Sequence, residues 1–300
     1  MSDQEAMPPR VAVTIATRNR RQDLARTCEA LQKLVPPPDE VLICADGCTD
    51  DTMEFVKSTY PSFRLFVNKT PRGSIGSRDL MMREATGEII ISLDDDSYPI
   101  DEDFVGFVQR LFLERPSLAV ASFPQRSDEF PRTLTARDFG VTHQAGTFAN
   151  CAAAIRRSAY LATGGYPTRF FHMYEEPDFA LQCLAAGFDV IHFTDRVVRH
   201  HYTQQQRSEL RRHFYNARNE LWSVMLRCPL PYLFPVAIFR LLRQLGYARR
   251  QGLAWLLREP LWWASFIAGL PSVLTERQPI RWPIYREWMQ RIRNAPKQEK

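Results

Sequence analysis

Short apolar runs alternate with segments of helical periodicity along the first hundred residues of the chain. Four of these runs predict β-strands because they are short and rich in β-branched or aromatic side chains: residues 11–15, 40–44, 63–67 and 88–93. Between the first two, Leu24, Cys28 and Leu31 recur at helical spacing, and a second helix is predicted over residues 80–85. Strands that alternate with helices predict an α/β fold with a mostly parallel sheet.

The fourth apolar run ends in three consecutive carboxylates, Asp94, Asp95 and Asp96. Ligands of an open parallel sheet bind beyond the carboxyl ends of its strands, which is where these side chains are expected. A divalent cation held by one or two carboxylates, with its other positions open, is suited to binding a diphosphate. The alternative interpretation is a solvated acidic turn, since aspartate is common in turns. Polar or glycine-rich segments after the other three runs favour the metal site.

In the order and spacing of its motifs, the chain resembles the family 2 glycosyltransferases, which have the GT-A fold. The resemblance covers about residues 10–225 and rests on these segments: VTIATRNR at 13–20, ADGCTD at 45–50, RG at 72–73, RD at 78–79, GE at 87–88, LDDD at 93–96, GGY at 164–166 and EEPD at 175–178. It implies a Rossmann-type, mostly parallel sheet flanked by helices and a nucleotide-diphosphate sugar as donor. It also implies a Mn²⁺ or Mg²⁺ ion on the aspartates and inversion at the anomeric carbon.

The resemblance implies nucleotide-binding roles for residues that follow the predicted strands. Thr17 and Arg18 would lie against the base and the ribose, and Asp46 would accept a hydrogen bond from the base. Arg72 or Arg78 would face the diphosphate or the base. Several departures from the family's usual residues in these turns leave the base open between uracil, thymine and guanine.

The same resemblance divides the aspartates between the donor and the metal. Asp94 would lie near the ribose, Asp95 is assigned to the donor site, and Asp96 would bind the ion that bridges the two phosphates. A histidine can complete the metal coordination in this family, and imidazole suits Mn²⁺ better than Mg²⁺. His200 and His201 are adjacent in an extended segment and so point to opposite sides. His201 is expected to be the ligand, and the alternative is a packed or surface histidine.

The second half of the chain is expected to supply the acceptor site and the catalytic base. An inverting transfer needs a base that removes the proton of the acceptor hydroxyl. Glu175, Glu176 and Asp178 follow an aromatic segment, and carboxylates near one another and near apolar rings have raised pKa values. The resemblance places the base at Glu176, with Asp178 and Glu175 as alternatives. The competing interpretation is that acids in a first helical turn are stabilised by the helix dipole without any catalysis, which suits Asp178 best.

Two further positions near these acids depart from the family pattern. Asn150 stands where glycine is common, and it is a candidate contact for the donor or the acceptor. Gln182 stands where many relatives have arginine, so a structural ion pair with the acids is expected to be missing.

Length and composition are consistent with one large α/β domain and an appendage. The 300 residues are 45% hydrophobic, which is enough for a sizeable core. The six cysteines include no Cys-x-x-Cys pair, which favours reduced thiols in the cytoplasm. The first residues lack the basic start and apolar stretch of a secretory signal. We therefore predict a cytoplasmic protein with a catalytic domain at 1–225, made of a nucleotide-sugar half at about 10–100 and an acceptor half at about 101–225.

Residues 226–300 differ in character from the rest of the chain. They carry eleven arginines and two lysines against four glutamates, a balance of +9, whereas the whole chain is +5. Phe234, Ile238, Leu241 and Leu245 recur at helical spacing near arginines, which predicts an amphipathic helix. The uncharged stretch at 261–274 is shorter than the roughly twenty residues that span a bilayer.

Helices that lie on an anionic membrane surface are the first interpretation of this region. The alternative is a helical appendage packed on the catalytic domain, or the interface of a homodimer. Nucleic-acid binding is disfavoured because the other motifs point to a sugar nucleotide.

Together these features predict an inverting, metal-dependent glycosyltransferase that is peripheral to the inner face of the cell membrane. It would transfer a hexose or deoxyhexose to a saccharide or lipid-linked acceptor in the synthesis of cell-envelope polysaccharide. A nucleotidyltransferase of similar fold is one alternative, but Arg72 and Gly73 match poorly the lysine- and glycine-rich loop that it would need. A catalytically inactive binding or scaffold protein is another, and the retention of Asp96 and of the acidic cluster argues against it.

Overall fold

The computed structural model describes residues 7–202 and 208–296, and its central feature is an eight-stranded mixed sheet beside a smaller three-stranded one. The strands are β1 (Val11–Thr17), β2 (Glu40–Asp46), β3 (Arg64–Asn68), β4 (Ile89–Asp94), β5 (Ser97–Pro99), β6 (Leu118–Ser122), β7 (Gln125–Ser127), β8 (His143–Gln144), β9 (Ala153–Arg156), β10 (Asp189–His192) and β11 (Val198–His200). The helices are α1 (Arg21–Leu31), α2 (Thr52–Thr59), α3 (Gly73–Glu84), α4 (Phe104–Glu114), α5 (Arg157–Ala162), α6 (Glu175–Ala185), α7 (Glu209–Arg227), α8 (Leu233–Gln251), α9 (Leu253–Leu256), α10 (Glu259–Thr275) and α11 (Trp282–Asn294).

The large sheet has the strand order β3-β2-β1-β4-β9-β6-β10-β8. The first four strands in this order are parallel, so Thr17, Asp46 and Asp94 end three neighbouring strands at the same edge. β9 runs antiparallel to both β4 and β6. In the smaller sheet, β11 lies between β5 and β7 and pairs His200 with Ser97. The predicted α/β fold with a mostly parallel sheet is confirmed.

The parallel strands are apolar on both faces because helices cover the sheet on both sides. Alternate side chains of one strand belong to two separate buried clusters, as a period of two requires. Val13 and Ile91 pack in one cluster, and Ala12 and Ile90 pack in the other. The four apolar runs of the sequence are therefore β1 to β4, and the predicted helix at 80–85 is the second half of α3.

The C-terminal helices pack against the part of the chain that carries the large sheet. Trp222 of α7 belongs to the same buried cluster as the core of β4 and α6. Trp288 of α11 packs with Leu181 of α6 and donates from Nε1 to the carbonyl oxygen of Gly146 at 2.8 Å. Of the helices in the described ranges, none is both long enough and apolar enough to cross a membrane.

Helix α8 places both polar and apolar side chains against the protein and leaves several large apolar side chains exposed. Arg240 and Gln244 are buried, and both contact the buried carboxylate of Glu220 on α7, at 3.0 Å and 2.6 Å. Phe234 and Ile238, in contrast, are 66% and 57% exposed. Helix α8 thus buries one arginine and one glutamine against α7 while exposing large apolar side chains, which is unusual for a surface helix.

Because Glu220 holds α8 on α7, its removal should destabilise the protein. Glu220→Ala leaves Arg240 buried without its carboxylate, and breaking a buried ion pair costs about 3–5 kcal/mol. Urea unfolding should show this loss in the free energy of unfolding. The matched control is Glu276→Ala, which removes only a partly exposed pair with Arg169 and should change stability by less than about 0.5 kcal/mol. Equal losses in both variants would contradict the role of Glu220.

Candidate functional site

Two of the three consecutive aspartates are buried, and one arginine contacts both of them. Asp95 and Asp96 are 4% and 1% exposed. Arg20, in the turn between β1 and α1, donates from Nη1 to Asp95 Oδ1 at 2.7 Å and from Nη2 to Asp96 Oδ2 at 2.6 Å. Thr17 Oγ1 donates to Asp95 Oδ2 at 2.8 Å. Both oxygens of Asp95 are therefore engaged by the protein, while Oδ1 of Asp96 faces a histidine.

That histidine is His200 and not His201. Nε2 of His200 lies 3.3 Å from Asp96 Oδ1, and Nδ1 lies 3.0 Å from Gln125 Oε1. The Gln125 carbonyl accepts from Nδ1–H, which leaves Nε2 as the nitrogen that faces the carboxylate. His201 is on the other side of the extended segment, where its Nε2 bonds with the Tyr98 hydroxyl at 2.9 Å. The expectation that His201 faces the aspartates is thus corrected, because the register of β11 turns His200 inward.

Asp94, Cys151 and His200 each offer an atom that could bind a cation. One ligand atom of each lies within 4.8 Å of the other two. Burial lowers the pKa of His200, but its contact with the Asp96 carboxylate prevails and raises the pKa to about 11. A cation that binds at Nε2 therefore has to displace a proton.

Arg78 connects the aspartates to the acidic pair of α6. Its buried guanidinium contacts Asp94 through Nη2, and Nη1 lies 3.8 Å from Glu175 Oε1. Asn150 Nδ2 donates to the same Glu175 oxygen at 3.1 Å, and the Tyr166 hydroxyl donates to Asn150 Oδ1 at 2.6 Å. The structure therefore brings three predicted site residues, Asp94, Arg78 and Glu175, into one chain of charges. Asn150 contacts a member of that chain.

Both acids at the start of α6 have a raised pKa. For Glu175 the cause is burial, which the positive charge of Arg78 partly offsets. For Glu176 the cause is again burial, and the negative charge of Glu175 adds to it. Glu175 is 3% exposed, whereas Glu176 is only partly buried. A carboxylate with a raised pKa and an accessible side chain has the properties of a general base near neutral pH.

Asp178, the third acidic candidate, lies in a separate buried cluster. Its Oδ1 accepts from Ser223 at 2.7 Å, and its Oδ2 accepts from Gln182 at 2.8 Å and from Arg227 at 3.1 Å. An ion pair with the acids does form, but its arginine comes from α7 and not from position 182. These contacts favour the structural interpretation of Asp178.

Asp46 caps the start of α3. Its two oxygens accept the backbone N–H groups of Arg72 and Gly73 at 2.8 Å and 2.9 Å, and Asn68 Nδ2 donates to Oδ1 at 2.8 Å. Gly73 has a φ of +80°, and a Cβ there would lie 2.1 Å from the carbonyl oxygen of Phe171. Only glycine fits this close approach. Asp46 thus organises the turn that carries the exposed Arg72 side chain.

The remaining predicted residues divide between the interior and the surface. Thr17 is buried and bonded to Asp95, whereas Arg18 is exposed beyond the end of β1. Arg20 and Gln125 belong to the site although neither was predicted from the sequence. For Arg20 the sequence held a signal, since buried carboxylates need a cation and Arg20 lies in the turn that follows Thr17. No sequence pattern indicated Gln125, because it reaches the site through the pairing of β7 with β11.

Comparison with known proteins identifies the family. The model of glycosyl transferase family 2 matches residues 12–177, more than half of the chain. The O-antigen chain rhamnosyltransferase WbaN of Salmonella anatum is 24% identical over 203 residues, which are 62% of this chain and 64% of WbaN. RfbN of Salmonella typhimurium, also an O-antigen chain rhamnosyltransferase, is 22% identical over 68% of this chain and 70% of its own length. The chain thus spans less than two thirds of the length of WbaN.

Solved structures of other proteins share the fold. The mannosyltransferase PcManGT from Pyrobaculum calidifontis, in complex with GDP-Man and Mn²⁺, has a TM-score of 0.57 at 21% identity over 95% of this chain and 84% of its own. TarS 1-349 of S. aureus in complex with UDP-GlcNAc has a TM-score of 0.61 at 15% identity over 89% of this chain and 84% of its own. The resemblance predicted from the motifs is therefore confirmed: the chain belongs to family 2 of the glycosyltransferases.

Proposed function

We propose that this glycosyltransferase moves a sugar, with inversion, from a nucleotide-diphosphate sugar to a saccharide or lipid-linked acceptor in the cytoplasm. The observation that carries the proposal is the chain of charges that runs from Asp96 through His200 to Asp94, and from Asp94 through Arg78 to Glu175. One end of this chain has carboxylates that could bind a metal ion together with the diphosphate. The other end has the acids that could deprotonate an acceptor hydroxyl. The similarity to O-antigen rhamnosyltransferases supports a deoxyhexose donor and a cell-envelope polysaccharide as product.

Mn²⁺ or Mg²⁺ fits the aspartate site. Asp94 and Asp96 would supply carboxylate oxygens and His200 would supply Nε2, a donor set that suits Mn²⁺ well. Gln125 supports this role, because it fixes the imidazole ring through Nδ1. PcManGT was solved with Mn²⁺ and GDP-Man. When bound, the ion would supply positive charge that attracts the diphosphate of the donor.

The nucleotide would lie across the carboxyl ends of β1 and β2. Thr17 and Asp46 shape this edge, while the exposed side chains of Arg18 and Arg72 are available to the base, the ribose or the phosphates. Asp95 would act indirectly, by keeping Arg20 and Thr17 in place beneath the donor.

Replacing His200 should weaken metal-dependent nucleotide binding, whereas replacing His201 should not. Calorimetry with UDP, dTDP and GDP, with and without Mn²⁺, identifies the nucleotide. His200→Ala should then raise its Kd in Mn²⁺ by about 10–100-fold. The matched control, His201→Ala, should change the Kd by no more than about 2-fold. Equal losses in the two variants, or binding that ignores both Mn²⁺ and Asp96→Asn, would contradict the proposed metal site.

Glu176 is the proposed base, because it is the accessible member of the acidic pair. The acceptor hydroxyl gives its proton to Glu176 as its oxygen bonds to the anomeric carbon of the donor. The bond from that carbon to the diphosphate oxygen breaks, and its electron pair leaves with the diphosphate. Arg78, between Asp94 and Glu175, offsets part of the charge that grows on this leaving group.

Glu176→Gln should lower kcat by about 10²–10⁴-fold and leave nucleotide binding unchanged, because only the proton acceptor is lost. The base works in its deprotonated form and its pKa is raised, so kcat should fall as the pH is lowered through that raised pKa, well above the range of an ordinary glutamate. Both effects are measured as steady-state turnover of donor and acceptor at pH 5 to 9, which covers about two pH units on either side of neutral. Glu276→Gln is the control at an exposed site. A Glu176→Gln enzyme that keeps more than about a tenth of kcat would rule out this base.

We further propose that the protein works on an anionic membrane surface, where a lipid-linked acceptor would be presented. Support comes from the outer sides of α8, α9 and α10. Ala237 and Leu241 of α8, and Trp262 and Phe266 of α10, pack in one cluster with α7. Several large apolar side chains of these helices are exposed, and together they are called here the outer apolar surface: Phe234, Ile238, Phe239, Leu242, Leu253, Leu257, Leu261 and Ile267.

Charge supports a bilayer as the partner of the outer apolar surface. Arg249, Arg250 and Arg258 are exposed where α8, α9 and α10 follow one another along the chain. They are close in sequence to exposed leucines of the outer apolar surface, Leu253 and Leu257. Apolar side chains beside arginines match an anionic lipid interface, in which the headgroups supply the opposite charge. A second copy of the chain would cover the leucines but would bring equally basic residues against these arginines.

Vesicle flotation tests this surface. The wild-type protein should float with vesicles of phosphatidylcholine and phosphatidylglycerol, and much less with phosphatidylcholine alone, because each arginine near an anionic surface contributes about 1 kcal/mol. Ile238→Asp combined with Leu257→Asp should reduce the bound fraction about tenfold. The control is Val141→Asp, an exposed apolar residue outside this surface, which should float normally. The proposal would be overturned if the double variant floats normally. It would also be overturned if the wild-type protein is a dimer in solution and the double variant is a monomer.

A further inference from the structure

Residues 170–174, here called the strained segment, connect a short 3-10 turn to α6. Phe171, Met173 and Tyr174 have φ values of 66°, 70° and 74°, although none of them is glycine. Side chains with a Cβ rarely adopt this backbone conformation, and it persists only where surrounding structure imposes it. The next two residues along the chain are Glu175 and Glu176.

One side chain of α7 supplies hydrogen bonds that hold the strained segment. Nδ2 of Asn219 lies 3.1, 2.7 and 2.8 Å from the carbonyl oxygens of Phe170, His172 and Met173. Asn219 is fully buried, and its two N–H groups are shared among the three carbonyls. Arg218 Nη2 donates to Phe170 as well, at 2.9 Å. Asn219 therefore contacts the backbone on both sides of the strained residue Phe171.

The orientation of the Asn219 amide is itself fixed. Its Oδ1 accepts from Arg218 Nε at 3.0 Å, so Nδ2 is the end that faces the strained segment. The Arg218 guanidinium is in turn held over the rings of Trp222 and Tyr215, at 4.1 Å and 5.0 Å from their centres. This arrangement leaves the Asn219 amide little freedom to release the carbonyls.

The other side of the strained segment contacts the first turn of α3. The backbone N–H of Ile75 donates to the carbonyl oxygen of Phe171 at 3.4 Å, and Ser74 Oγ lies 2.9 Å from His172 Nδ1. The same helix carries Arg78, which reaches both Asp94 and Glu175. The position of the strained segment thus sets the distance between the acidic pair and the donor side of the site.

We propose that Asn219 is a positioning residue for the acidic pair. Its amide holds the strained segment so that Glu176 is presented to the acceptor hydroxyl at a fixed distance from the donor. A connection that served stability alone could relax to ordinary backbone angles, whereas this one keeps its strain directly before the two acids. The inference rests on the proposed role of Glu176 as the base.

The test compares kcat, KM and backbone protection in Asn219→Asp and Asn219→Ala. Both variants remove the N–H donors, and Asp keeps the size of the side chain. We expect kcat to fall about 10²-fold, as for a misplaced catalytic group, while the KM of the donor and the Kd of its nucleotide stay within about 3-fold. Amide hydrogen exchange in residues 168–176 should become at least about tenfold faster.

A second substitution relieves the strain directly. Met173→Gly places glycine where φ is 70°, a conformation that glycine adopts without steric cost. In the Asn219→Ala background it should restore kcat by about threefold or more and slow the exchange again. In the wild-type background it should change kcat by less than about 2-fold.

The matched control removes a different buried bond of α7. His213→Ala breaks the contact of His213 Nε2 with Glu259 Oε1 at 2.6 Å and should lower the melting temperature without changing kcat or the exchange of residues 168–176. Asn219 variants that change kcat and KM together, or that leave the exchange unchanged, would overturn the inference. If the wild-type enzyme transfers no sugar, the proposed function fails, and the exchange comparison then decides separately whether Asn219 holds the segment.

Discussion

The structure depends on neutralising buried carboxylates at the end of β4. Burying an unpaired carboxylate is so costly that each one needs a cation or several hydrogen bonds within reach. Arg20 supplies this for Asp95 and Asp96 from the turn after β1, and Arg78 supplies it for Asp94 from α3. The positions of the β1–α1 turn and of α3 relative to β4 are tied to this requirement, since each has to bring its arginine to the same strand end.

The same requirement joins the C-terminal helices to the part of the chain that carries the large sheet. Asp178 of α6 is paired with Arg227 of α7, and Glu220 of α7 is paired with Arg240 of α8. A predicted boundary near residue 225 therefore falls inside α7, a helix whose residues contact both sides of that boundary. Removing the C-terminal helices would expose or unpair these buried charges, so the appendage contributes to the stability of the domain that carries the acids.

The sequence predicted the parts of the site that depend on local pattern. Strand ends, the aspartate triplet and the acidic pair could be located because apolar periodicity and adjacent acids are visible in one segment. The inward histidine could not be chosen, because His200 and His201 differ only in the register that β11 takes between β5 and β7. The role of Asn219 had no local signal at all, since its hydrogen-bond partners lie in a distant segment whose backbone angles no pattern revealed.

Glu220 also places the outer apolar surface relative to the acids. Its carboxylate accepts from Arg240 and Gln244 of α8, and the Tyr174 hydroxyl donates to it at 3.3 Å. Tyr174 is the last residue of the strained segment, immediately before Glu175. The helix that presents apolar side chains outward and the segment that leads into Glu175 and Glu176 are thus attached to one buried carboxylate. Neither element can shift without breaking hydrogen bonds to Glu220, so under the proposed function this shared attachment would fix the height of Glu176 above a membrane that presents a lipid-linked acceptor.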